Sequence, residues 1–167
     1  MFADDVTSVE LNTTVPESTM LPTSLLTLSG QFEAKPVVLL VDGGAGQNFI
    51  SERFVQTYDL PVLPTSLKSR VILANGDVQH VDKMVVGQLR LGAYKEKLPL
   101  HVLPLAQYDV ILGKPWLALH NPQIDWRANS LSFLYQDEPI YLSSQASVDV
   151  PNLEASLFSI TLRDTSL

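Results

Sequence analysis

"VVLLVDGGAGQNFIS", residues 37–51, begins as an apolar run and turns at Asp42 into a loop carrying Gly43, Gly44 and Gly46. A carboxylate at the mouth of a buried strand is costly unless it is hydrogen-bonded or does chemistry. The glycines after it give the backbone close access to Asp42 and to any ligand. Two readings follow. Asp42-Gly43 is a hairpin turn, or Asp42 is a catalytic carboxylate. One aspartate is a weak catalyst, whereas two in contact share a proton and activate water, because like charges about 3 Å apart cannot both ionise. The chain has one such loop, so a dyad takes two copies of it.

Outward from this stretch the pattern is of short β-type runs broken by turn residues. "LLTLSGQF" (25–32) and "KPVVLLVD" (35–42) come first. "SRVIL" (69–73) and "VQHVDKMVVGQLRL" (78–91) flank Asn75-Gly76, a strong hairpin signal that predicts a two-residue type I′ turn. "KLPLHVLPL" (97–105), "YDVILG" (108–113), "NSLSFLY" (129–135) and "PIYLSS" (139–144) complete the set. Helical signals are short: "SERFVQTYDL" (51–60), with Ser51 as N-cap, and "KPWLALH" (114–120) after Gly113. The fold class expected is all-β, a single closed β-barrel with one or two short helices. Residues 1–22, with Asp4, Asp5, Glu10 and Glu17 and no basic residue, form a flexible acidic leader in this reading. The domain runs over 23–142, and 143–167 is a C-terminal linker or tail.

Composition narrows the function. The 167 residues are 46% hydrophobic and 17% charged, as in a globular domain. A net charge of −7 with scattered basic residues argues against nucleic acid or an anionic membrane as a partner. There is no cysteine, which removes disulfides and thiolate chemistry. Asp4 and Asp5 follow Met1 where a signal peptide would be basic and then apolar, so the expectation is a soluble, intracellular protein. His80, His101 and His120 have no metal-ligand spacing, and they read as ordinary strand and loop residues with no metal. The Gly-x-Ser-x-Gly elbow of serine hydrolases is missing, and "GGAGQN" (43–48) has neither the lysine nor the spacing of a phosphate loop.

In order and spacing, "VVLLVDGGAGQNFIS", the hairpin "RVILANGDVQHV" (70–81) and "YDVILGKPWLALHNPQIDW" (108–126) resemble single-lobed retroviral-type aspartic proteases. They are most similar to the protease domains of gypsy-type LTR retrotransposon polyproteins, over about residues 24–135. The third block is the most specific, through Ile111-Leu112-Gly113, Pro115-Trp116-Leu117 and Ile124-Asp125-Trp126. The resemblance implies that Asp42 is the catalytic aspartate and that a homodimer supplies the second. It implies that Gly44 and Ala45 line the cleft floor, that Ala74, Asn75, Gly76 and Asp77 form a flap over the peptide, and that Ile111 belongs to the strand behind the active loop. The substrate would be a peptide or polyprotein, no cofactor would be needed, and the setting would be the cytoplasm or a retroelement particle. Read without the resemblance, Ile111, Leu112 and both tryptophans are core, and core is the expectation for Trp116 and Trp126. Gly43 departs from the family pattern, where Ser or Thr follows the Asp and its hydroxyl ties the two active loops together. Two functions stand side by side: an aspartic endopeptidase, and a catalytically impaired domain serving as a dimerisation or interaction module.

Overall fold

The computed structural model describes residues 24–73 and 75–144. The expected leader (1–22), the tail from 145 onward and Ala74 of the expected flap lie outside the described residues. Strands β1 (Thr27–Phe32) and β2 (Lys35–Val41) form an antiparallel hairpin. Then come β3 (Phe49–Ser51), helix α1 (Glu52–Thr57), β4 (Leu63–Ile72), β5 (Val78–Leu91), β6 (Tyr94–Leu103) and β7 (Val110–Leu112). The chain continues with helix α2 (Lys114–His120), β8 (Gln123–Asp125), β9 (Ser130–Tyr135) and β10 (Glu138–Ser143).

The main sheet runs β1-β2-β7-β3-β6-β5-β4, and β1 also pairs with β5 at Gln31–Arg90 and Phe32–Leu89. That pairing closes six strands into a barrel and leaves β4 as an outer partner of β5. The expected all-β barrel with two short helices is what the chain adopts. On the second half of β5, buried Val85, Leu89 and Leu91 alternate with exposed Val86, Gln88 and Arg90, the period of two that sends one face inward. Phe32, Leu39, Ile50, Leu100, Leu112 and Trp116 fill the interior.

Both helices start where the sequence expects. Ser51 Oγ accepts from the backbone N–H groups of Arg53 and Phe54, and Phe54 and Val55 turn inward. Pro115 lies in the first turn of α2, and Asn121 ends the helix in the left-handed region. Trp116 from α2 is buried, and its indole N–H donates to Tyr94 Oη at 2.9 Å. Tyr94 in turn donates to Glu96 Oε1, which also meets His120 Nε2 at 2.9 Å. Burial, aided by the hydrogen bond to Glu96, raises the Tyr94 phenol far above the ordinary tyrosine range.

A second sheet, β10-β9-β8, packs Leu131, Phe133, Ile140 and Leu142 onto the core. Here one expectation is corrected: Trp126 is not core but 51% exposed. The β8–β9 ladder begins at the Asp125–Ser130 pair. Trp126 therefore sits in the turn outside it, where Asp125 Oδ1 accepts from the N–H groups of Arg127 and Ala128. Among the described residues no helix is long and apolar enough to cross a membrane.

Candidate active site

Asp42 follows the last residue of β2 and lies in a loop, as expected. Its N–H donates to Leu112 O at 2.9 Å, which fastens the start of the loop to β7. Its carbonyl accepts from Ala45 N–H at 3.1 Å, so residues 42–45 form a tight turn. Its side chain is held as well: Gly44 N–H donates to Asp42 Oδ1 at 2.8 Å. Asp42-Gly43 is thus part of a tight turn but not of a hairpin, and the Asp42 carboxylate is hydrogen-bonded within that turn.

The far side of the loop is clamped by the β7–α2 junction. Lys114 N–H donates to Ala45 O and Gly113 N–H to Asn48 Oδ1, each at 2.8 Å. A Cβ on Gly113 would lie 2.3 Å from Gln47 O and 2.5 Å from Ala45 O, so glycine is required for the loop to sit this close to the helix start. Asp109 braces the layer behind: Oδ2 accepts from Val38 N–H at 2.8 Å, and Oδ1 pairs with Arg53 Nη2 at 3.1 Å. Gly113 ends the Ile111-Leu112-Gly113 block noted in the sequence, whereas Asn48 and Asp109 were not singled out there.

A second apolar cluster lies on the other face of these strands. Ala45, Phe49, Val81 and Leu103 are buried there, with Val71, Leu105 and Ile111 packed against them. It joins the active loop (Ala45), β7 (Ile111) and the β4–β5 hairpin (Val71, Val81). Of the expected site residues, Asp42, Gly44, Ala45 and Ile111 are brought together. Asn75, Gly76 and Asp77 lie apart from them at the exposed hairpin tip, and Ala74 is outside the described residues. His101 on β6 has its ring 6.4 Å from Phe49, and its buried Nδ1 has no hydrogen-bond partner. Burial lowers its pKa from the ordinary histidine value.

The hairpin itself differs from the expected two-residue type I′ turn. Leu73 N–H donates to Asp77 O at 2.8 Å and Gly76 N–H to Leu73 O at 2.9 Å, which leaves three residues in the loop. Gly76 takes φ +91°, and Asn75 ties itself to Asp77 through its side-chain amide, accepting from Asp77 N–H at 2.9 Å. This is the geometry of a three-residue loop with glycine at its left-handed position.

No three His, Asp or Glu side chains converge as a metal site among the described residues. A closed six-strand barrel, with an Asp-Gly-Gly loop braced by a β7–α2 junction, defines a single-lobed domain of the retroviral-protease type. The family model for the PEG10/RTL1 protease domain matches residues 38–137. The chain belongs to that family and is a retropepsin-like protease domain. It is also similar to the retroviral protease-like domain of Ddi1 from Leishmania major, at 17% identity and a TM-score of 0.52, over 72% of this chain and 93% of that one. EIAV protease in complex with the inhibitor HBY-793 matches at 14% identity and a TM-score of 0.46, over 64% of this chain and 92% of that one.

Proposed function

We propose that this domain is an aspartic endopeptidase that acts as a homodimer on peptide segments of a polyprotein. The observation that carries the reading is the loop itself: Asp42, held by Gly44 N–H, at the end of a barrel strand in a chain of protease family. In the dimer, one Asp42 carboxylate takes a proton from water while the other gives its proton to the scissile carbonyl. They exchange roles as the amine leaves. The peptide lies extended over Gly44 and Ala45, beside Ile111, paired through its main chain and covered by the hairpin of residues 74–77. No metal or cofactor takes part, and the work is done inside the cell, in the cytoplasm or a retroelement particle.

Digestion of a peptide library at several pH values tests the mechanism. Cleavage is expected below neutral pH, where a carboxylate pair holds one proton. Asp42→Asn abolishes it without loss of fold, and EDTA leaves it unchanged. Undiminished cleavage by Asp42→Asn, or loss of cleavage in EDTA, sinks the mechanism. Gly43 favours a second reading, a folded dimerisation or interaction module with little catalysis, because it lacks the hydroxyl that ties the loops of related enzymes. A dimer that cleaves no peptide at any pH selects that reading.

A further inference from the structure

We infer that the outer face of the second sheet is a docking surface for the segment of this chain that follows β10, residues 145–167. An antiparallel sheet with one face on a core and the other in water alternates apolar and polar positions. The inner positions keep to that rule, since Leu131, Phe133, Ile140 and Leu142 pack on the core. The outer positions break it. Leu134 is 70% exposed and Tyr141 65% exposed, and Leu134 stands directly opposite Pro139 in the β9–β10 ladder. A groove of about 460 Å³ crosses this face, with Gln123, Ser132, Leu134 and Pro139 among its lining residues. No residue of the active loop lines it. Large apolar side chains gathered on one exposed face mark a surface that binds something.

Three features select residues 145–167 as the occupant. The first is continuity. Ser144, the residue after β10, is pinned: its N–H donates to Asn129 O at 3.1 Å and its Oγ to Thr27 O at 2.8 Å. The segment therefore sets out from a fixed point at one end of this sheet, and a tether gives it an effective concentration that a separate partner lacks. The second is reach. The eight residues 145–152 span up to about 26 Å, whereas β10 from Ser143 back to Glu138 is about 17 Å long. The third is chemistry. Residues 153–162 hold Leu153, Leu157, Phe158, Ile160 and Leu162, half of the block. Arg163, the one basic residue of the segment, comes next, and the far end of the face carries Asp137 and Glu138. The ion pairs among the described residues are Arg53–Asp109 and Glu96–His120, so neither acid is engaged in one there. An exposed ion pair contributes little. The apolar block supplies the affinity, and Arg163 supplies the direction in which it lies.

Paramagnetic relaxation in the full chain tests the docking. The chain has no cysteine, so Ser159→Cys gives one attachment point for a nitroxide label inside the apolar block. The expected result is strong broadening of the Leu134 and Tyr141 amide signals. Leu157→Asp in the labelled chain is expected to abolish it, and Leu134→Asp to weaken it at Tyr141. Arg163→Glu should weaken it less than Leu157→Asp does. If Leu134→Asp fails to fold, Leu157→Asp, outside the barrel and the second sheet, carries the test. A wild-type face without broadening overturns the docking, and so does broadening that Leu157→Asp leaves intact. Labelled chain is also mixed with isotope-enriched chain that bears no label. Broadening of the face in that mixture assigns it to a neighbouring chain and overturns docking within one chain. None of these outcomes depends on cleavage, so the docking stands or falls apart from the protease reading.

Discussion

Gly43 is the residue on which the proposed activity turns, and its backbone decides what a side chain would do there. Gly76 and Gly92 are the glycines of positive φ among the described residues, and Gly43 is not one of them. A side chain at 43 therefore meets no left-handed strain, and Gly43→Ser restores one hydroxyl per subunit. A net hydrogen bond contributes roughly 0.5–1.5 kcal/mol, so the two favour the dimer by about 1–3 kcal/mol and raise the cleavage rate. Gly43→Thr restores the same hydroxyl and is expected to act in the same direction. Sedimentation of the two variants beside wild type checks this, and a weaker dimer in the serine variant refutes it. Asp42 was legible in the sequence because an acid and glycines after an apolar run have few explanations. Asn48 and Asp109 were not, since their bonds to Gly113 and Val38 span 65 and 71 residues and no local pattern records them.

At the scale of elements, alternation exposed the long strands and concealed the short ones. The runs that became β1, β5, β6, β9 and β10 alternate over part of their length, and β2 shows instead as a continuous apolar run, Val37–Val41. Strands β3 and β8 have three residues each, too few for any period. The start of β4 is hidden by Pro61 and Pro64 and by a register shift between Pro64 and Ser69. Turn chemistry misled more than strand chemistry. The pairs with positive φ at both positions, as type I′ turns need, are Glu33-Ala34 and Gln136-Asp137, and neither contains glycine. Glu33 is compensated by exchanging bonds with Gln88, its N–H to Gln88 O and its Oε2 from Gln88 N–H. At the tip of the β4–β5 hairpin, by contrast, Gly76 is needed: at φ +91° a β-branched side chain is strained, although nothing lies within 4 Å to clash with it. Gly76→Val should thus cost about 1–2 kcal/mol of stability, all of it from the backbone. Peptide turnover should fall by more than that free energy corresponds to. Equal losses in thermal melts and in kcat/KM would make the hairpin a structural element and not a flap.

At the scale of the whole molecule, the chemistry proposed for the dimer and the stability of the barrel pull in opposite directions with pH. A shared-proton carboxylate pair works best in acid. His101 makes acid unfavourable for the fold. It is 9% exposed, its Nδ1 is unpartnered, and it flanks the cluster that joins the active loop to the hairpin. Burial lowers its pKa below the ordinary value of 6.5, so between the two values the unfolded chain binds a proton that the folded chain refuses. The contribution of His101 to stability is therefore fully present above pH 6.5 and is lost as pH falls through the folded value. Urea melts of wild type and His101→Leu across this range read the effect directly. Wild type should lose midpoint faster than the variant as pH drops below 6.5, because leucine has no proton to gain. The cleavage profile should follow, with the acid limb of His101→Leu extending to lower pH than that of wild type while the limb nearer neutrality stays in place. Parallel midpoint curves for the two proteins would show that His101 is protonated in the folded chain as readily as in the unfolded one. The acid limit of the proposed cleavage would then lie with the carboxylates alone.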